Sequence, residues 1–330
     1  MSPTIFAQLW QDSFEPLSAF KELRMDLPLL DPKIDVVFKM LFADEDSEPI
    51  LIALLNAIIQ GLHPITKAQV LNPQLPKRFI DDKGTILDII AELDNGEQVN
   101  IEMQMANQGD TRSRALYHWA RIYSSQLKRG KDKLYRSLKP VYSIFLLKFR
   151  EFTELEPRLQ HTLHIAHAQH PQIVLPDLKL HFVELVALFN SKYLNSLEEK
   201  KLALWAKFLL NPTDNQFQEE FMADQDITKA REKLQKLSAN TEKRELARVR
   251  EKAALDWNSS HANARQEGRQ EGKVEGLAEK GLTVLKILLT GPEADLLSDT
   301  RIAEITGVKL EDVQQERKRL AAHKKQNDGE

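Results

Sequence analysis

Apolar residues recur at three- and four-residue spacing over residues 34–59: Val37, Phe38, Leu41 and Phe42, then Leu51, Leu54, Leu55 and Ile58. That period predicts an amphipathic helical stretch. Asp31 reads as its cap and Pro32 as a first-turn residue. Pro49 is expected to divide the stretch into two helices, and Gly61 to end it. Strand-length segments follow at 68–71, 78–80, 85–93 and 98–105. The turn Asp94-Asn95-Gly96 joins the last two as a hairpin. Residues 111–129 read as a helix closed by Gly130, residues 141–149 as an apolar strand, and 180–185 as a further strand. Helix, strands, helix and strand in that order describe an α/β core.

The pattern also divides the chain. Residues 1–29 form a loose lead-in, 30–190 the α/β core and 191–240 a helical region. Residues 241–282 are highly charged, with Gly268, Gly272 and Gly276 each preceded by a glutamate. Each glycine costs an isolated helix about 1 kcal/mol relative to alanine. This segment is therefore read as a solvated or frayed spacer, or as a helix packed closely on a partner. Residues 283–330 read as two short helices joined near Gly307, resembling a helix-turn-helix or a small interaction hairpin. Arg317, Lys318 and Arg319 are its candidate phosphate contacts. His161, His164, His167 and His170 fall at spacing three and read as the polar face of a helix, with a metal site as the alternative.

Hydrophobic residues make up 42% and charged residues 29% of the 330-residue chain, which allows a packed core. No cysteine is present, which excludes disulfides and thiolate chemistry and is compatible with a reducing cytosol. Neither a signal peptide nor a membrane span is expected, and no phosphate-cradling nucleotide loop or nucleophile elbow occurs. The net charge of −3 conceals a basic stretch: nine Lys/Arg and one Asp lie between Arg112 and Lys139. Such a stretch can meet an anion. Tyr117, Trp119, Tyr123 and Tyr135 interleave with its cations, and most are expected in the core.

The hairpin register carries the candidate chemistry. A three-residue loop makes every opposed pair sum to 190, so Leu87, Ile89 and Ala91 face Met103, Ile101 and Val99. A two-residue Asn-Gly loop would mix apolar and polar faces. In the preferred register Asp88 stands opposite Glu102, with Gln104 on the same face. Opposed carboxylates repel, and a hard divalent cation would offset the repulsion. The alternative is an ordinary hairpin with polar residues turned to solvent.

The run Asp31-Pro32-Lys33-Ile34-Asp35-Val36-Val37-Phe38-Lys39-Met40-Leu41-Phe42 resembles the opening of the recombination-promoting nuclease/transposase family. So do Leu54-Leu55-Asn56, the strands around Asp88 and around Glu102-Met103-Gln104, the helix from Arg114 to Tyr123 and the strand from Pro140 to Leu147. The glycine–glutamate repeat is similar to C-terminal regions of that family. The resemblance implies a PD-(D/E)XK (restriction-endonuclease-like) core with a helical C-terminal extension. It implies a metal-dependent DNA endonuclease, with Asp88 and Glu102 binding Mg²⁺ (or Mn²⁺ or Ca²⁺). Gln104 would take the place of the usual lysine, and Asp35 would be an accessory residue. Arg112, Arg114, Arg121, Lys128, Arg129, Lys131, Lys133 and Arg136 would contact DNA phosphates. The competing expectation is a catalytically inactive DNA-binding or assembly protein, and a strand-joining transposase is a third. DNA and a second copy of the chain are the expected partners, with no nucleotide cofactor and a cytoplasmic location.

Overall fold

A computed structural model of the protein describes residues 28–61, 63–71, 89–127, 134–189, 196–292, 294 and 296–327. The chain forms two compact units, Met1–Ala253 and Ala254–Glu330.

The first unit is built on a six-stranded sheet. Its strands are β1 (Ala68–Val70), β2 (Ile89–Leu93), β3 (Gln98–Gln104), β4 (Val141–Leu147), β5 (Gln160–Ala166) and β6 (Val174–Glu184), in spatial order β1-β2-β3-β4-β6-β5. β1, β2 and β3 pair antiparallel, β3–β4 and β4–β6 parallel, and β6–β5 antiparallel. A parallel β3–β4 pair needs a crossover, and α3 (Thr111–Ser125) supplies it. The central strand β4 is buried on both faces along its whole length. That explains the unbroken apolar run there, since strands covered on both sides lose their alternation.

On one face Ile89, Ala91, Val99, Ile101, Ile144 and Val183 pack beneath four helices: α1 (Asp35–Ala43), α2 (Glu48–Ile58), α4 (Leu197–Leu210) and α6 (Gln225–Ala239). The short α5 (Gln218–Ala223) adds Phe221 to the same core. On the other face Ala115 and Trp119 of α3 lie on Phe145, Leu147, Leu178, Leu180 and Phe182.

Several local expectations are corrected. The break between α1 and α2 falls at Asp44–Ser47, and Pro49 lies within the first two residues of α2. Proline lacks the N–H that a first turn cannot use, so here it starts a helix. Asp31 does not cap α1. Its carboxylate accepts from Lys33 N at 2.9 Å in a turn that precedes Asp35. The histidine-rich segment is strand β5 and the start of its hairpin, not a helix. Pairing with β6 overrides the three-residue spacing, and a bulge between His164 and Ile165 shifts the register. The strand expected at 180–185 is the end of the longer β6. The strand expected at 78–80 lies outside the described residues.

The Asp31-Pro32-Lys33-Ile34-Asp35 run forms a structural clamp. Lys33 is buried, and its ammonium donates to Leu209 O at 3.1 Å and Leu210 O at 2.7 Å, with Asp31 2.7 Å away. A cation on the last carbonyls of α4 satisfies acceptors that the helix leaves open. Lys33→Met should therefore lower stability by about 1.5–3 kcal/mol, the range for hydrogen bonds to charged groups. Urea unfolding of the two proteins checks this; equal midpoints would mean the clamp contributes nothing.

In the second unit, Leu285 and Leu289 of α7 (Thr241–Thr290) form a small core with Ile302 of α8 (Asp299–Thr306) and Val313 of α9 (Leu310–Asn327). Gly307 turns the chain between α8 and α9 at φ +67°. Arg317 is committed inside this unit rather than free for phosphate. It donates to Asp299 at 2.6 Å, Ala294 O at 2.7 Å and Leu297 O at 3.0 Å. Arg319 pairs with Glu316, and Lys318 remains exposed. Gly268, Gly272 and Gly276 are exposed, with nothing among the described residues near enough to touch an added Cβ.

Candidate active site

The β2–β3 hairpin has the three-residue loop. Leu93 N donates to Glu97 O at 2.8 Å, Gly96 N donates to Leu93 O at 3.0 Å, and Gly96 takes φ +79°. The pairs Ile89–Ile101, Ile90–Asn100, Ala91–Val99 and Glu92–Gln98 all keep the sum of 190. Asp88 lies outside the described residues.

Alternation places Asn100, Glu102 and Gln104 on the sheet face beneath α3. All three are buried, Glu102 completely, so this polar row does not face solvent as an ordinary hairpin would. Gln104 Nε2 donates to Glu102 Oε2 at 3.2 Å, and Asn100 Nδ2 approaches Oε1 at 3.4 Å. From α3, His118 Nδ1 lies 2.5 Å from Oε1, and an Arg114 Nη2 lies 3.7 Å from Oε2. Burial by itself would raise the Glu102 pKa. The His118 contact, the Gln104 amide and the Arg114 guanidinium outweigh it and hold the carboxyl below the usual carboxylate range. At neutral pH it is an ionised, buried carboxylate.

Helix α3 is tied at both ends, which fixes these two side chains over β3. At its start Arg112 donates to Glu151 at 2.9 Å and Glu154 at 2.7 Å, and its guanidinium lies over the Phe152 ring. Further along, Trp119 Nε1 donates to Asp177 O at 3.1 Å, and Tyr123 Oη to the Asp177 carboxylate at 2.6 Å. The two rings stack at 4.9 Å.

The sequence-predicted residues thus separate. Glu102, Gln104 and Arg114 come together. Asp35 is held elsewhere: its carboxylate pairs with Arg250 and accepts from Val36 N at 2.7 Å. Arg112 is engaged by the two glutamates. Arg121 and Arg136 are exposed, while Lys128, Arg129, Lys131 and Lys133 lie outside the described residues. Trp119 and Tyr123 are half-buried, but Tyr117 and Tyr135 are exposed, against the expectation that most of these aromatics pack in the core. His118 and Asn100 were not singled out in the sequence. Their signals are the four-residue spacing from Arg114 on a helix and the two-residue spacing from Glu102 on a strand.

Hard oxygen donors suit a divalent cation such as Mg²⁺ or Mn²⁺. Glu102 offers a carboxylate, and the neighbouring Asn100 Oδ1 is buried without a hydrogen-bond partner. That chemistry fits such an ion, although no group of three His, Cys, Asp or Glu side chains gathers at one point among the described residues. No described helix is long and apolar enough to cross a membrane.

A family model described as PD-(D/E)XK nuclease family transposase matches residues 32–264, from the Lys33 clamp through the whole sheet and into α7. No curated protein and no solved structure matches the chain. With its mixed sheet, its crossover helix and a buried Glu-x-Gln on β3, the chain belongs to the PD-(D/E)XK nuclease family transposases.

Proposed function

We propose that the protein is a metal-dependent endodeoxyribonuclease that hydrolyses phosphodiester bonds at Glu102. The observation that carries this reading is the fully buried Glu102 carboxylate, set on β3 between Asn100 and Gln104 in the hairpin register read from the sequence. Glu102 and Asp88 would hold Mg²⁺, Mn²⁺ or Ca²⁺, with Asn100 Oδ1 beside them. Such an ion would polarise a phosphoryl oxygen and make a bound water more acidic. Gln104 fixes one Glu102 oxygen and can orient water. His118 Nδ1 lies 2.5 Å from the other oxygen, on the opposite side from Gln104. Arg121 and Arg136, with the basic residues at 128–133, would hold the DNA backbone, an affinity that falls as salt rises.

Supercoiled plasmid incubated with the purified protein tests the proposal. Nicking in Mg²⁺ that EDTA abolishes is the expected result. Salt-sensitive binding without cutting, whether or not Mg²⁺ is present, would favour the inactive DNA-binding reading instead. That second reading has one observation in its support: the Arg114 guanidinium already faces the Glu102 carboxylate, 3.7 Å from Oε2. Joined rather than nicked products would identify a strand-transfer enzyme.

A further inference from the structure

Hydrolysis of a phosphodiester builds negative charge on the phosphoryl oxygens as the nucleophile adds, and a fixed cation at that point lowers the barrier. Strand β3 supplies none: its row is one carboxylate and two amides. Across from it, Arg114 bridges the buried carboxylate and the surface, with its side chain 23% exposed. An Nη2 lies 3.7 Å from Glu102 Oε2, while the buried Nε has no hydrogen-bond partner. Nε and Nη2 form the edge of a guanidinium that grips two phosphate oxygens at once. One atom of that edge already approaches the candidate metal-binding carboxylate, and the other is a desolvated donor without an acceptor. A buried donor left unpaired is costly, and its persistence beside Glu102 is explained by a ligand that fills it.

We infer that Arg114 is a catalytic residue, whose Nε–Nη2 edge receives the non-bridging oxygens of the scissile phosphate and stabilises the charge that develops there. This goes beyond backbone gripping, because the contact strengthens in the transition state. It rests on the nuclease reading above. Helix α3 delivers the guanidinium, and its two tethers, Arg112 to Glu151 and Tyr123 to Asp177, hold it in register with β3.

The geometry also supplies the test. Gln104 Nε2 is 3.2 Å from the same Oε2 that Arg114 approaches, so a lysine at position 104 would carry a cation to the same place from the strand. Plasmid nicking by the full chain in Mg²⁺ would be measured for the parent, Gln104→Lys, Arg114→Gln, Arg114→Gln with Gln104→Lys, and Glu102→Gln. Affinity for uncut DNA would be read by fluorescence anisotropy in EDTA. Arg114→Gln should lose about a hundredfold in kcat, as removal of one transition-state donor does. Its affinity in EDTA should change by no more than about threefold, since one phosphate contact among several is removed. The added lysine should raise the kcat of Arg114→Gln by a much larger factor than it raises the parent's, which a merely structural role for Arg114 would not allow. Parent-like kcat in Arg114→Gln, or a loss that the lysine leaves unrepaired, overturns the inference. If the parent does not cut, or Glu102→Gln cuts as well as the parent, the nuclease reading itself fails and the inference falls with it.

Discussion

Replacing Glu102 by glutamine should slow Mg²⁺-dependent DNA cleavage by about a thousandfold or more and leave a folded protein. A metal's stabilisation of a phosphoryl-transfer transition state amounts to several kcal/mol, and each ~1.4 kcal/mol is tenfold in rate. Glutamine keeps the volume of the side chain and one acceptor oxygen, so the packing of α3 on β3 survives. It removes the charge that a divalent ion needs and that the Arg114 guanidinium faces. Breaking a fully buried ion pair would be severely destabilising. Here the Arg114 side chain, 23% exposed, can turn toward water. Rates of supercoiled-plasmid nicking, with a circular-dichroism melt as the folding control, decide the matter. A folded Glu102→Gln protein that cuts at the parent's rate would remove Glu102 from the chemistry. Asp88→Asn should match its loss if the two carboxylates share the ion.

Acid should weaken the fold through a histidine remote from that chemistry. His181 on β6 is 5% exposed, 2.8 Å from Gln160 Nε2 through Nδ1, and stacked on Tyr142. Gln160 Nε2 also donates to Ile58 O at the end of α2, so the histidine belongs to a contact between sheet and helix. An amide N–H on Nδ1 requires the neutral ring with its proton on Nε2. Burial, and then the charge of Lys179, push its pKa down to about 4 from 6.5. The unfolded chain therefore takes up a proton between those values and the folded chain does not. Stability is intact above about pH 6.5 and falls as the pH drops toward 4, by about 3 kcal/mol in total. His161, also lowered by burial, acts in the same direction. Urea unfolding of the parent and of His181→Gln, at neutral pH and near pH 4, isolates the contribution. The parent should lose about 3 kcal/mol more than the variant across that interval. Equal losses would show that His181 protonates freely in the folded state.

The sequence by itself determined the hairpin and its register. Residues 89–93 and 98–104 alternate, and only the three-residue Asp94-Asn95-Gly96 loop keeps their apolar positions on one face, so burial fixes a choice that local geometry leaves open. It also determined the helix after that hairpin, the apolar strand β4, and the family's Glu-x-Gln at 102–104. Only the tertiary structure decided what surrounds Glu102. Arg114 and His118 meet it because β3 and β4 pair in parallel, which forces the crossover helix back over the sheet, and no periodicity within α3 reveals the strand beneath it. The same limit explains the Asp31–Asp35 run. Its charges look like site residues, yet Lys33 closes α4 from 176 positions away and Asp35 meets Arg250. It explains β5 as well, where pairing with β6 overrode a helical spacing of histidines. Local pattern fixes which face of an element is apolar. Which distant charge is carried to a buried one depends on chain crossings that a residue's neighbours do not encode.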